Sequence, residues 1–303
     1  MLLHQNKRSA YTFLKIIIAC AVLLLVLLTS FDCHPTPGTG FYTAATPAPS
    51  ASATPPMITP PQATPIPTPE QFTILWIADT QTIAYRKDNN VFRAMGEWIM
   101  ENEEPLDIRY IVQTGDLVDN GFQEKQWDSF RVLSDYFYGK IPYLTVAGNH
   151  DLGVKRQDYS AFLSQPFITD LPENQKYKGG QAVWAEFQAG GIDFLLIGAG
   201  WGADVSSALW INAVLKSHPD HVAILMVHSY ITANDVLSYQ GDEVHDLIIA
   251  KNPNVRLVLS GHIRGSGYLS EEFDDDGDGT MDRTVQAMLY NFQEYPKYSS
   301  GQI

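Results

Sequence analysis

Five short segments of this chain each end an apolar run with a side chain able to ligate a metal. They are Ile74-Leu75-Trp76-Ile77-Ala78-Asp79-Thr80-Gln81, Tyr110-Ile111-Val112-Gln113-Thr114-Gly115-Asp116, Tyr143-Leu144-Thr145-Val146-Ala147-Gly148-Asn149-His150-Asp151, Ala223-Ile224-Leu225-Met226-Val227-His228 and Leu257-Val258-Leu259-Ser260-Gly261-His262. Carboxylate and amide oxygens with imidazole nitrogens form a donor set for divalent cations, and this many of them suggest a centre for two ions. Asp116 follows Gly115, where a glycine lets the backbone approach a ligand closely, and its carboxylate can bridge two cations. Asp79 and Gln81 supply oxygens two positions apart. His150, next to Asn149, suits acid–base chemistry, and Asp151 is the adjacent carboxylate that would hold its ring and raise its pKa.

Such donors need elements that bring them together. Short, apolar, β-branched runs read as buried strands, and parallel α/β sheets bind ligands beyond the carboxyl ends of their strands. The five segments are therefore expected to deliver Asp79, Asp116, Asn149, His228 and His262 to one edge of one sheet. Strands are predicted at 71–78, 108–113 and 142–147, separated by helices at 91–102 (apolar side Val91, Met95, Trp98, Ile99) and 124–138 (Trp127, Phe130, Leu133, Phe137), the order of right-handed parallel units. After an irregular stretch at 151–180, runs at 182–188 and 192–197 meet at Gly190-Gly191 as a hairpin. A helix over 206–217 carries Leu209, Ile211 and Leu215. Strands at 222–227 and 255–260 flank a helix at 242–250, and a β-rich tail from Ser266 includes a strand at 284–289. The hairpin and tail predict a second sheet packed on the first: an α/β, two-sheet sandwich with helices outside.

Outside residues 70–303 the composition changes. Lys7, Arg8 and Lys15 precede an uncharged apolar stretch from Ile16 to Phe31, the pattern of a signal peptide or an uncleaved membrane anchor spanning residues 1–33. Residues 34–69 are dominated by Pro, Thr, Ala and Ser, too poor in apolar side chains to offset chain entropy, and read as an extended linker. The domain is thus expected to be secreted or held at the cell surface, with the N-terminal segment touching the membrane. Both cysteines, Cys20 and Cys33, precede the domain, so it has neither disulfide nor thiolate ligand. Residues 70–303 hold 17 basic and 33 acidic side chains, a net charge of −16, which argues against a nucleic-acid backbone as partner. No protein partner is implied. The final residues, Lys297 to Ile303, read as a strand that begins without finishing.

The chain resembles the calcineurin-like metallophosphoesterases. The residues that carry the likeness are Asp79-x-Gln81, Gly115-Asp116-Leu117-Val118-Asp119-Asn120, Gly148-Asn149-His150-Asp151, the isolated His228, and Gly261-His262, in order across about residues 72–264. The resemblance implies a two-sheet fold and hydrolysis of a phosphate mono- or diester by a metal-bound hydroxide. It implies that Asp116 bridges two divalent ions (Mn, Fe or Zn), that Asn149, His228 and His262 complete one site, and that Asp79 and the residue two further on contribute to the other. His150 would contact the phosphate or protonate the leaving oxygen. The Asp79-Thr80-Gln81 start and the tail from Ala287 to Gln293 resemble an exported bacterial branch of the family.

Two positions depart from the family pattern. Gln81 stands where the family has histidine, and Arg264 where it has the second histidine of Gly-His-x-His. An amide oxygen is a weaker, harder ligand than imidazole, so the site containing Asp79 and Gln81 should bind more weakly and favour Mn²⁺ or Mg²⁺ over Zn²⁺. Arg264 has no lone pair to offer and would instead pair with a phosphate oxygen. Both departures also motivate a non-catalytic surface protein with a degenerate dinuclear site. Asp119 and Asn120 read as supporting groups, His218, His221 and His245 as surface residues, and Tyr230 as pocket or core. Segments 152–180, 199–206 and 263–273 are the expected pocket walls. The acidic run from Asp274 to Asp282 resembles a calcium loop, but Val285 stands where an EF-hand needs a bidentate Glu, so a charged hairpin turn is the preferred reading over calcium-dependent adhesion.

Overall fold

Strand β2 (Ile108–Gln113) shows why the domain is layered. Ile111 packs with helix side chains on one side, while Tyr110 and Val112 face the other way into a second apolar cluster. That alternation is the period-two geometry of a strand buried on both faces. The computed structural model describes residues 71–293 other than 154 and 156. The N-terminal apolar stretch, the linker and the Lys297–Ile303 tail lie outside the described residues. No helix among the described residues is long and apolar enough to cross a membrane.

Two sheets form. The first is parallel, in the order β1 (Thr73–Ile77), β2, β3 (Tyr143–Thr145). The second has seven strands in the order β4-β5-β6-β7-β8-β10-β9: β4 (Lys176–Tyr177), β5 (Ala182–Ala189), β6 (Ile192–Ala199), β7 (Val222–Val227), β8 (Val255–Ser260), β9 (Gly265–Phe273) and β10 (Arg283–Asn291). Strands β6, β7, β8 and β10 run parallel, and β5 and β9 are antiparallel partners at the flanks. The strands at 222–227 and 255–260 therefore belong to the second sheet. The candidate ligands come from two sheets, three from one and two from the other, and not from one edge of one sheet. Periodicity identifies strands, but which sheet a strand joins depends on long-range pairing.

Three apolar clusters separate four layers. Tyr110, Val112, Leu144 and Val146 of the first sheet meet Val183, Leu196, Ile224 and Met226 of the second. The outer face of the first sheet is covered by α2 (Asn89–Asn102) and α3 (Glu124–Phe137), through Phe92, Met95, Ile99, Trp127, Phe130, Leu133 and Phe137. The outer face of the second is covered by α6 (Val205–Ser217) and α7 (Tyr239–Leu247). Short helices α1 (Gln81–Arg86), α4 (Ser160–Leu163) and α5 (Pro166–Thr169) fill the connections.

Local details depart from expectation for identifiable reasons. Helix α1 begins two residues after Asp79, too short a run for apolar periodicity to register. Trp98 and Leu209 lie at the margins of their helical stripes and are 40 % and 65 % exposed. Helix α7 starts earlier, at Tyr239, because the Ser238 hydroxyl accepts the Gly241 N–H at 2.9 Å and caps it. Tyr230 is fully buried within the core of the second sheet.

Helix α3 packs Trp127, Phe130, Leu133 and Phe137 against the first sheet. Trp127 is buried, meets Phe130 edge-on, and donates its indole N–H to the Gly121 carbonyl at 2.7 Å. Replacing it removes packing and also frees the turn that follows Asp119. Trp127→Ala is expected to cost about 3–5 kcal/mol of stability, measured by urea denaturation; a loss under about 1 kcal/mol would contradict the packing account.

Candidate metal centre

The carboxyl ends of β1, β2, β3, β7 and β8 meet where the two sheets converge. Asp116 and His262 both hold left-handed backbone conformations, with φ of 51° and 65°. Non-glycine residues adopt these at a cost of roughly 1–2 kcal/mol, and such strain gathers at functional sites. Two glycines make the approach possible. A Cβ at Gly148 would collide with the Asp116 carboxylate, and one at Gly261 with Oδ1 of Asp79.

His228, wholly buried, sits at the centre. Its Nδ1 lies 2.8 Å from the Thr114 carbonyl, which can only accept, so Nδ1 carries the proton and the neutral ring leaves Nε2 bare. Around that nitrogen stand Asn149 Oδ1 at 3.1 Å, Asp116 Oδ2 at 3.2 Å and His262 Nδ1 at 3.2 Å. With the ring neutral, His228 Nε2 and the Asn149 and Asp116 oxygens turn lone pairs toward one point that His262 Nδ1 also reaches, a donor cluster that suits a cation. Asp116, His228 and His262 bring their ligand atoms within 4.8 Å of one another.

Gln81 adds a second sign. Its Nε2 donates to Asp116 Oδ2 at 3.0 Å, while its Oε1 is buried with no hydrogen-bond partner. An orphaned buried acceptor on a side chain that contacts the Asp116 carboxylate fits a cation. The residues present therefore suit two divalent ions.

The protonation pattern is that of a site where protons stand in for metal. Burial pushes the Asp79 carboxyl up to about 7, with Asp116 adding to the push against the pull of His228. Burial also works against the charge of Asp116, but His228 and His150 outweigh it and hold that group below its ordinary value. For His228, burial favours the neutral ring, yet Asp116 beside it wins and lifts it to about 9.

Residues 72–264 match the calcineurin-like phosphoesterase family. The chain belongs to that family. The uncharacterized protein YvnB of Bacillus subtilis (strain 168) is 36 % identical over 242 residues, covering 78 % of this chain and 19 % of its own length. The chain thus spans about a fifth of that relative. Among solved structures, a dimetal phosphatase from Danio rerio aligns with a TM-score of 0.51 at 14 % identity, over 73 % of this chain and 87 % of its own. Purple acid phosphatase PPD1 from yellow lupin (Lupinus luteus) aligns at 0.50 and 15 % identity, over 74 % of this chain and 45 % of its own. These two likenesses establish the two-sheet phosphoesterase fold.

Within this phosphoesterase domain Asp79, Gln81, Asp116, Asn149, His228 and His262 lie together. His150 lies beside them, its backbone N–H donating to Asp116 Oδ1 at 2.9 Å. Its ring is not held by Asp151. Nδ1 is 2.9 Å from the Asp119 carbonyl and 3.1 Å from the Asp119 carboxylate. The Asp151 carboxylate instead accepts backbone N–H groups of Val118 (3.0 Å) and Gly148 (2.8 Å), tying two ligand loops together, and burial, with Asp116 adding, pushes it well above its ordinary value. His150 and Asp151 lie in a turn, and there the two side chains reach different partners, so the neighbour in sequence is not the one that holds the ring. Arg264 stands two residues past His262 and is exposed, outside the buried cluster.

Three residues had no assigned role in the sequence reading. Asn291 donates to Asp79 Oδ2 at 2.7 Å, and Gln293 accepts from Thr82 Oγ1 at 2.7 Å while its Nε2 reaches the same Asp79 oxygen at 3.5 Å. Strand β10 runs parallel to β8, so its carboxyl end arrives at the same edge; a polar residue closing the 284–289 run was the available signal. Trp201 packs its ring 5.7 Å from His228 and 5.0 Å from His262.

Partners that orient a metal ligand carry much of its affinity. Asn291→Ala is expected to weaken the affinity of the Asp79 side for Mn²⁺ by roughly 10–100-fold, read by calorimetric titration; unchanged affinity would remove Asn291 from the site. Because the carboxyl proton of Asp79 and the Nε2 proton of His228 must both be lost before cations bind, affinity should rise, with proton release, as pH climbs through about 7 toward about 9. A flat affinity across that window would show that protons do not compete.

Proposed function

We propose that this protein hydrolyses a phosphate mono- or diester with two divalent metal ions, outside the cytoplasm. The observation that carries the reading is the donor cluster about His228 Nε2, with His150 fixed beside it. One ion would be held by Asp116, Asn149, His228 and His262, the other by Asp116, Asp79 and Gln81. Bound there, the two ions supply the positive charge that activates water and offsets charge building on phosphorus.

The chain's own residues do the rest. Asp119 fixes the His150 ring through Nδ1, leaving Nε2 as the nitrogen for chemistry at the leaving oxygen. Asp151 holds the loops after β2 and β3 in register. Asn291 and the His262 N–H keep the Asp79 carboxylate aimed. Gln81 in place of imidazole makes the Asp79 site the weaker, harder-ion site. The basic and apolar N-terminal residues support export, with the linker as a stalk; protease added to intact cells should then cleave the domain, and protection would count against it.

Protein stripped by chelation and reloaded with Mn²⁺ is expected to turn over aryl phosphate mono- or diesters, and Asn149→Ala to lose that turnover with its metal. His150→Gln should keep its metal and lose about 10²–10⁴-fold in kcat. A folded, fully loaded protein inert toward both ester classes would favour a metal-binding surface protein without catalysis.

A further inference from the structure

Beside the metal centre lies an open cleft of about 310 Å³ between the end of α1 and the start of α3. Its wall includes Asp119, the residue that holds His150, so cleft and reaction centre share a side chain. The other lining residues used here are Tyr85, Lys87, Asn120, Gln123 and Lys125.

The two lysines are placed against local preference. Lys87 closes α1 in a left-handed conformation, φ 53°, which costs a side chain other than glycine or asparagine some strain. Lys125 stands in the first turn of α3, where the helix dipole disfavours a cation. Neither lysine forms an ion pair among the described residues. Glu124 and Asp128 pair with Arg131 and Asp119 with His150, while Asp88, next to Lys87, forms no ion pair among the described residues. The Asp119–Asn120 wall is rigid, both backbone N–H groups donating to Gln126 Oε1 at 2.9 Å. In a chain of net charge −14, these two lysines put positive charge on the wall of a cleft beside a phosphoester site.

We propose that this cleft is a subsite for a second anionic group on the substrate, so that the protein prefers phosphoesters whose alcohol portion carries a further phosphate or carboxylate. This rests on the phosphoesterase reading above. Tyr85, 63 % exposed at the rim, offers a flat apolar surface to whatever joins the two anions.

The test uses the full, Mn²⁺-loaded chain and two series of aryl phosphates matched in length, one bearing a terminal carboxylate and one a neutral amide. The carboxylate series should show the lower KM, and K87Q/K125Q should abolish that preference, with about a tenfold loss per lysine at low salt and less at high salt. Equal KM for the two series, or a preference that survives the double substitution, overturns the subsite while leaving hydrolysis intact. Calorimetric binding of the same carboxylate and amide compounds as non-hydrolysable aryl phosphonates gives a readout that does not need turnover. Tighter carboxylate binding lost in K87Q/K125Q supports the subsite even if no ester is cleaved; equal binding overturns it.

Discussion

One buried nitrogen organises this site. The Thr114 carbonyl fixes the tautomer of His228, and that choice leaves Nε2 surrounded by three other electron-rich atoms. Unpaired lone pairs in a dry interior are costly, so the surrounding fold must hold them together against repulsion until a cation or proton intervenes. Much of the architecture follows from that requirement. Glycines at 148 and 261 clear space for carboxylates, and Asp116 and His262 accept left-handed backbones to reach inward.

The sheets provide the rigidity. Apolar packing between them fixes the relative height of their carboxyl edges, and hydrogen bonds then tie the loops across the join. The Thr80 N–H donates to the Asp116 carbonyl, the Gly261 N–H to the His228 carbonyl, and the His262 N–H to Asp79. Beneath them the buried Gln113 amide donates to Thr80 while accepting from the Tyr143 hydroxyl. Each candidate ligand therefore rests on backbone or on a buried partner rather than on a free loop, which is the preorganisation that metal-assisted chemistry needs.

Electrostatically the region is divided. The buried centre gathers carboxylates and imidazoles suited to cations, whereas the adjoining cleft carries two lysines. An anion entering that cleft would meet the positive charge of Lys87 and Lys125. The shared residue, Asp119, lies at the boundary, its carboxylate toward His150.

Strand–ligand order was readable from sequence because each apolar run is local and each ligand ends one: the β7 and β8 bounds and the α3 stripe are properties of neighbouring residues. The donor types at Asp79, Asp116, Asn149, His228 and His262 likewise declared a metal chemistry without coordinates. Tertiary structure alone decided the division of those ligands between two sheets, since strand pairing joins residues far apart in the chain. It alone replaced Asp151 by Asp119 as the partner of His150, because in the turn they share the two side chains reach different partners. And it alone brought Asn291, 212 positions away, onto Asp79: a parallel strand added at the sheet's far side ends at the same edge, and no local pattern records where a strand will dock.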